Sequence, residues 1–446
     1  MGMKSSELVI PFLGALQASI SVLITILFGV LTAQYGLLSN KAAKEVSKMT
    51  VRMFQPALLI YKVGSELHQG TAIRYVPILI WAIVYSLISM GIGTLATRAF
   101  KLPSWVTPAF TFNNTTSLPL LLIQSLSVTG ILDAIILDGD TSSSAIDRAE
   151  SYFLVNAMVS NSLTFALGPR LLRPGEEDAS DDEDDKDDSG QNEGDGNQQE
   201  DNVESGQQSE DLTHEPLIDE ETSLLPRRIV RRSNRAERVV YQKGGKYWDR
   251  LPPWSQDALD ILYAFLNAPL IGAMIGAIIG LTPPLHRWFF NEQNEGGYLN
   301  AWLTSSIKNV GDLFASTQII VVGVKLSQSL RKMKNGEESG NVPWTSMVAV
   351  TFTRIFLWPA ISIPLIWVLA TKTGVLDADP MLWFAMMLMP TGPPAMILAA
   401  LADVSGSPEI EKMAIAKFLT ISYAITPLIC FAVVGSLKAC EAATGK

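Results

Sequence analysis

Cysteine is almost missing from this 446-residue chain. The two it has, Cys430 and Cys440, lie ten residues apart near the C-terminus, which argues against a disulfide framework and against a cysteine-built metal site. Histidine is nearly as scarce. His68, His214 and His286 are scattered without metal-ligand spacing, so no metal and no other cofactor is expected. Charge is the third shortage: Asp, Glu, Lys and Arg make up 17% of the chain against 48% hydrophobic residues, too apolar for a soluble enzyme of this length. No nucleophile, base and orienting group stand in plausible relation, which removes an enzyme reading and leaves no catalytic residue to name. The charge that exists is unevenly placed. Residues 176–221 hold 21 acidic side chains and one lysine, so this stretch carries −20 of a total of −10 and the rest of the chain carries +10. The acidity belongs to one loop, and no nucleic-acid partner is expected.

What the chain has in abundance is long apolar runs. A window of about 20 residues, the length that crosses roughly 30 Å of hydrocarbon, finds ten candidate spans. The first five cover residues 9–37, 46–66, 75–98, 104–128 and 149–171, and the second five cover 258–282, 305–328, 344–370, 379–402 and 410–436. The first run has no small-residue cleavage pattern behind it and is too long for a signal-peptide core, so it reads as a retained span. The predicted class is an all-α membrane protein with two five-helix halves, residues 1–172 and 256–446, on either side of a loop at 173–255. Its first partner is the lipid bilayer.

Lysine and arginine collect in alternate loops. Lys41, Lys44, Lys48 and Arg52 flank the first connection, Arg98 and Lys101 the third, and Lys325, Arg331, Lys332 and Lys334 the seventh. The opposite side has acidic or sparse loops such as DGDTSSSAIDRAE and TKTGVLDADP. This places both termini on the lumenal or outer side and the central loop in the cytosol, and an odd number of spans per half orients the halves oppositely. The loop is rich in Asp, Glu, Gln, Ser and Gly and cannot bury an apolar core. Behind its acidic block, Arg227, Arg228, Arg231, Arg232, Arg235 and Arg238 form a basic stretch before the sixth span. That stretch reads either as an anionic-lipid contact, at about 1 kcal/mol per charge, or as a solvated linker neutralised by its acidic neighbour. Glu220-Glu221-Thr222-Ser223-Leu224-Leu225 has the shape of an acidic dileucine sorting signal, and sorting or kinase partners are expected at this loop.

Two spans are interrupted. FTFNNTTSLPLLLIQSL in the fourth carries Asn113, Asn114, Thr115, Thr116 and Ser117 at mid-membrane, followed by Pro119. MLWFAMMLMPTGPPAMILAAL in the ninth carries Pro390, Thr391, Gly392, Pro393 and Pro394. Non-helical backbone at that depth lines a cavity or is buried in protein, because lipid cannot hydrogen-bond the freed N–H and C=O groups. Paired breaks in corresponding places are the sequence pointer to a secondary transporter's substrate site. A single proline kink would carry no such meaning, and the glycosylation sequons in this run lie too deep to be modified. Charges within spans add to the pattern. Lys417 in the tenth span reads either as a cation that neutralises an anion or caps half-helix carbonyls, or as a side chain snorkelling to the surface. Arg354, central to the eighth, reads as a structural tie to backbone carbonyls. Aligning the fifth span with the tenth sets Asn156 opposite Lys417 and Asn161 opposite Ser422.

These breaks, together with KEVSKMTVRMFQPALLI in the second span and LNAPLIGAMIGAIIGLTPPLHRWFF in the sixth, resemble the auxin efflux carrier superfamily, its fungal members and the plant PIN-LIKES proteins above all. The likeness covers both membrane halves, about three quarters of the chain, and leaves out the loop. It implies ten helices in two inverted repeats, with broken crossover helices 4 and 9, helices 1, 2, 6 and 7 as a scaffold and the rest as a moving transport domain. It also implies elevator transport of a small organic anion, an indole carboxylate by analogy, often as a homodimer through the scaffold, and an endoplasmic-reticulum membrane, with the vacuole or plasma membrane as alternatives. The family's first crossover asparagine and proline correspond to Asn113 or Asn114 and to Pro119, and the second crossover to Pro390 through Pro394. The second break reads PTGPPA where plant PIN proteins have a Gln-Gly-Ile type of sequence, a departure that bears on substrate identity. Gly272, Gly276 and Gly280 give the sixth span a small-xxx-small face. The expected substrate-binding set is therefore the two breaks with Asn156 and Lys417. No acidic residue stands at the breaks for sodium or proton binding, which favours uniport over ion coupling. The competing reading, a channel or a non-transporting membrane receptor, lacks a ring of like charge or a continuous polar stripe.

Overall fold

The structure, a computed structural model, describes residues 5–68, 70–137, 139–172, 252, 259, 267–335, 342–404 and 408–445. Among them every regular element is helical. In the first half, α1 (Ser5–Gln34) leads to α2 (Asn40–Met49), which passes through a π turn at Thr50–Phe54 into α3 (Gln55–Glu66). Then follow α4 (Ala72–Phe100), α5 (Val106–Thr111), α6 (Ser117–Val128) and α7 (Ser142–Leu172). The second half has α8 (Ala268–Leu281), α9 (Pro283–Phe290) and α10 (Ser305–Lys334), then α11 (Trp344–Phe352), which passes through a π turn at Thr353–Leu357 into α12 (Trp358–Val368). It ends with α13 (Pro380–Leu388), α14 (Ile397–Val404), α15 (Glu409–Ala424) and α16 (Cys430–Thr444). The expectations for the central loop, its basic stretch and its dileucine pattern lie outside the described residues. The described residues within 1–174 and 263–446 pack together as one unit.

Side chains in this body are distributed inside out. Ile10, Ile73, Leu95 and Phe352 are exposed along the long helices, while Lys62, Glu150 and Arg354 are buried. Apolar exposure on that scale has to be covered, and helices of membrane-crossing length make lipid the cover. Among the described residues five helices are long and apolar enough to cross: Val9–Gln34, Ala72–Phe100, Asn300–Gln328, Trp344–Thr373 and Thr426–Thr444. A sixth is the pair α8 and α9 taken together, bent by 102° at Thr282-Pro283, a bend the sequence reading did not include. The last helix also runs further than expected, to Thr444, because the chain stays helix-compatible until Gly445 closes it at a φ of 75°. Of the other expected spans, those at 104–128, 379–402 and 410–436 are divided into shorter helices, whereas 149–171 lies within the unbroken 31-residue α7 and 46–66 within a continuous helical run, both carrying more polar and charged residues than the five.

Two π turns share one cause. Each ends two residues ahead of a proline, Pro56 or Pro359, which offers no N–H to the helical ladder and crowds the preceding turn. The ladder widens there, and the widened turns present Gln55 and Arg354 to the interior.

Glycines let the central helices touch backbone to backbone. A Cβ on Gly29 of α1 would stand 2.2 Å from Ile320 O of α10, and one on Gly323 of α10 would stand 2.1 Å from Ile26 O. On α8, Gly272, Gly276 and Gly280 face α3, and a Cβ on Gly280 would stand 2.1 Å from Leu67 O. α1, α3, α8 and α10 thereby form one tightly packed layer. Gly280→Ala is expected to force α3 and α8 apart and destabilise the protein by about 1–3 kcal/mol. Gly91→Ala, where nothing lies within 4 Å, should leave the melting temperature unchanged or slightly raised. Equal melting temperatures for the two variants would show that the contact carries no strain.

Candidate functional site

The two breaks meet. Asn114 N donates to Pro393 O at 2.9 Å and Ala395 N donates to Phe112 O at 3.0 Å, an antiparallel pairing centred on Asn113 and Pro394. This is the one place among the described residues where backbone pairs in a β-like manner. Its origin is the problem the sequence posed: unwound backbone in an apolar body must find partners. Pro393 and Pro394 have no N–H to satisfy, so Ala395 alone donates from that side, and the prolines reduce the number of donors needing partners.

Carbonyls of the last turn of α13 and just past it are satisfied one by one. Met386 O accepts from Trp81 Nε1 at 2.9 Å and Met387 O from Ser362 Oγ at 2.7 Å. Leu388 O accepts from Thr391 Oγ1 at 2.6 Å, and Met389 O and Thr391 O accept from Asn113 Nδ2 at 2.9 and 3.0 Å. Pro390 O accepts from Arg354 Nη1 at 3.1 Å, while Arg354 Nη2 donates to Phe110 O at the end of α5. Six consecutive carbonyls, Met386 to Thr391, each have a donor. Arg354 thus sets one buried cation against the C-terminal ends of both broken helices, where partial negative charge gathers, and no carboxylate pairs with it among the described residues. Gly392 has a φ of 115°, a conformation that strains any residue with a Cβ, so the turn between the prolines requires glycine.

Asn114 organises the other wall. Its Nδ2 donates to Tyr423 Oη at 2.8 Å, and its Oδ1 accepts from Thr116 N at 3.3 Å and Leu118 N at 3.5 Å, closing the first turn of α6. Pro119 lies within that first turn and not in the break. Its missing N–H is one that no helical carbonyl would have met, so it helps start α6 and does not interrupt it. Thr115 and Ser117 are buried beside Asn114.

A cavity of about 60 Å³ opens here. Asn113, Asn114, Thr115, Thr116 and Ser117 line one side with Ala395, Met396 and Ile397 from the second break, and Asn161 of α7 contributes from below. Val51 and Gln55, around the first π turn, and Phe314, Gln318 and Val322 of α10 form the facing wall. Of the expected set, Pro390, Thr391, Gly392, Pro393 and Pro394 support the crossover without lining the cavity. Asn156 is also set apart: it is fully buried and accepts from Tyr85 Oη at 2.9 Å. Lys417 is half-buried on α15, does not line the cavity and pairs with no described residue. Gln55 and Gln318 were not foreseen; a polar amide within an apolar span was the available signal. The residue facing Asn114 is Tyr423, next to the Ser422 that the alignment selected.

A helical body with an inside-out surface and two broken helices crossed over a small polar cavity defines a multi-pass membrane protein of transporter type. Residues 15–432 match the family model described as membrane transport protein, and the chain belongs to that family, the auxin efflux carrier type. It is a transporter family and not an enzyme family. An uncharacterized transporter of Schizosaccharomyces pombe is 25% identical over 428 residues, covering 92% of this chain and 91% of that protein. An uncharacterized transporter of Saccharomyces cerevisiae is 22% identical over 423 residues, 92% of both chains. Protein PIN-LIKES 5 of Arabidopsis thaliana is 28% identical over 171 residues, 38% of this chain and 39% of its own.

Proposed function

We propose that the protein is a carrier for a small organic anion, of the indole carboxylate type, working by alternating access. The single observation behind this reading is the crossing of the two broken helices over a polar cavity, Asn113 and Asn114 against Pro393 and Ala395. Amide and hydroxyl donors around the cavity hold the carboxylate, and the apolar side chains Val51, Phe314, Val322 and Met396 hold the ring. At about 60 Å³ the cavity admits only a few water-sized spheres, so a two-ring acid enters a more open state. The proposed architecture is ten spans in two inverted repeats, with the glycine-packed layer of α1, α3, α8 and α10 as a static scaffold, a surface for a homodimer, and the crossover helices as the moving part. Transport is uniport, in the endoplasmic-reticulum membrane, with the central loop cytosolic.

The deciding measurement is uptake of labelled indole-3-acetate by purified protein in liposomes, with binding by calorimetry. Asn113→Ala and Asn114→Ala should each weaken binding about tenfold or more while leaving folded protein, since each removes the amide that holds the crossover in place beneath the cavity. Unchanged affinity in both, and in Pro393→Ala and Lys417→Ala, would put the substrate site elsewhere. Topology has its own test. Protease added to sealed microsomes, cytosolic face out, should cut within residues 176–250 and leave both termini intact; a protected loop would reverse the orientation.

A further inference from the structure

The turn from α8 into α10 carries a guanidinium whose forked end the protein itself leaves free. α8 has no charged residue and ends at the 102° bend, after which α9 and residues 291–299 bring in Arg287, Glu292 and Glu295 before α10 begins. Charge at that density does not stay in hydrocarbon, so the turn marks a membrane surface. α9 is fixed by its inner face. Phe290 packs on Tyr61 and His286, and His286 Nε2 lies 3.4 Å from Ser65 O at the end of α3. Outward, Trp288, Tyr298 and Trp302 are exposed, and they are tied to one another through the backbone: Leu299 N donates to Trp288 O and Trp302 Nε1 to Tyr298 O, both at 2.9 Å. Rings of this type settle at headgroup level. A cleft of about 480 Å³ opens among them, lined by Pro283, Pro284, Arg287, Trp288, Gly296 and Tyr298. Arg287 is held there by one edge: Nε donates to Glu295 O at 2.5 Å, and a Cβ on Gly296 would stand 2.7 Å from Nε, so glycine lets the guanidinium lie against the backbone. Its two Nη groups meet no acceptor, and no carboxylate pairs with it, among the described residues.

We infer that this cleft binds the headgroup of a zwitterionic phospholipid of the phosphatidylcholine type, with the phosphate on the Nη groups of Arg287 and the quaternary ammonium against Trp288 and Tyr298. A guanidinium fork matches two phosphate oxygens, and aromatic faces attract a trimethylammonium group. The charge around the cleft favours this headgroup over an anionic one. Glu292 and Glu295 share the turn with Arg287, so a headgroup without a cation of its own would face two carboxylates and only one guanidinium. A bound lipid of this kind holds the glycine-packed layer of α1, α3, α8 and α10 at a set depth, because α9 is joined to α8 and packed on α3.

The test is the melting temperature of purified full-length protein in detergent, titrated with dihexanoyl-phosphatidylcholine below its micellar concentration. Dihexanoyl-phosphatidylglycerol, which lacks the ammonium, and glycerophosphocholine, which lacks the chains, are titrated alongside. The choline lipid should raise the midpoint by about 3 °C at a hundredfold excess over its dissociation constant. It should bind about fivefold more tightly than the glycerol lipid. Arg287→Gln should weaken both lipids by about tenfold or more, whereas Tyr298→Ala should weaken the choline lipid about threefold and leave the glycerol lipid unchanged. Equal affinity of the two lipids for the wild type, a comparison that requires no variant to fold, overturns the inference, as does an unchanged affinity in Arg287→Gln. Glycerophosphocholine binding as tightly as the choline lipid would assign the cleft to a soluble phosphodiester and overturn the lipid.

Discussion

Arg354→Met is expected to lower the melting temperature of the purified protein by roughly 3–6 °C and to abolish uptake. The guanidinium is fully buried and bonded to Pro390 O and Phe110 O, one carbonyl from each broken helix. Hydrogen bonds to a charged group are worth about 1.5–3 kcal/mol each, and methionine fills a similar volume without replacing either. At about 2.1 cal/mol/K of unfolding entropy per residue, a loss of about 3–6 kcal/mol corresponds to a shift of about 3–6 °C in a chain of 446 residues. Arg354→Lys should recover less than half, since a single ammonium cannot reproduce the fork that reaches two separated carbonyls. A methionine variant that melts within 2 °C of wild type would show that the crossover holds without its cation.

The second large effect belongs to a cluster away from the cavity. Lys62 of α3 lies 2.6 Å from both Asp147 Oδ1 and Glu150 Oε2 of α7, and Gln124 of α6 donates to Glu150 Oε1 at 2.9 Å. Lys62 and Glu150 are both buried; Asp147 is half-exposed. Removing the lysine leaves Glu150 without its cation, and breaking a buried pair in this way costs about 3–5 kcal/mol. Lys62→Met should therefore lower the melting temperature strongly, and Lys62→Met with Glu150→Gln should recover most of the loss, because the amide needs no counter-charge. A double variant no better than the single one would mean that the lysine acts by packing. If α3 belongs to the scaffold and α7 to the moving part, as proposed, this cluster joins the two. The uptake rate of the double variant reports whether the link slows the motion.

The sequence by itself determined the membrane class, because runs of apolar residues long enough to cross hydrocarbon have few other uses. It also determined where the helices break: five polar residues and a PTGPP turn cannot continue a ladder in an apolar body. The family resemblance followed from the order of these features. The small-residue face of α8 was legible for the same local reason, since glycine at every fourth position can only serve close approach. Pairing was decided by the tertiary structure alone. No local rule sets Asn114 against Pro393, or turns Pro119 from a breaker into the first turn of α6. Asn156, chosen by register, bonds Tyr85 instead, and Asn161 and Gln318 reach the cavity because helix packing rotates them toward it. Lys62 was as visible in its span as Lys417, yet only packing showed which of these lysines has buried carboxylates around it. Hydropathy reads each residue against its neighbours in sequence, whereas a buried charge or amide is placed by partners tens to hundreds of residues away, and for Asn113 and Arg354 those partners are backbone carbonyls that carry no sequence signal.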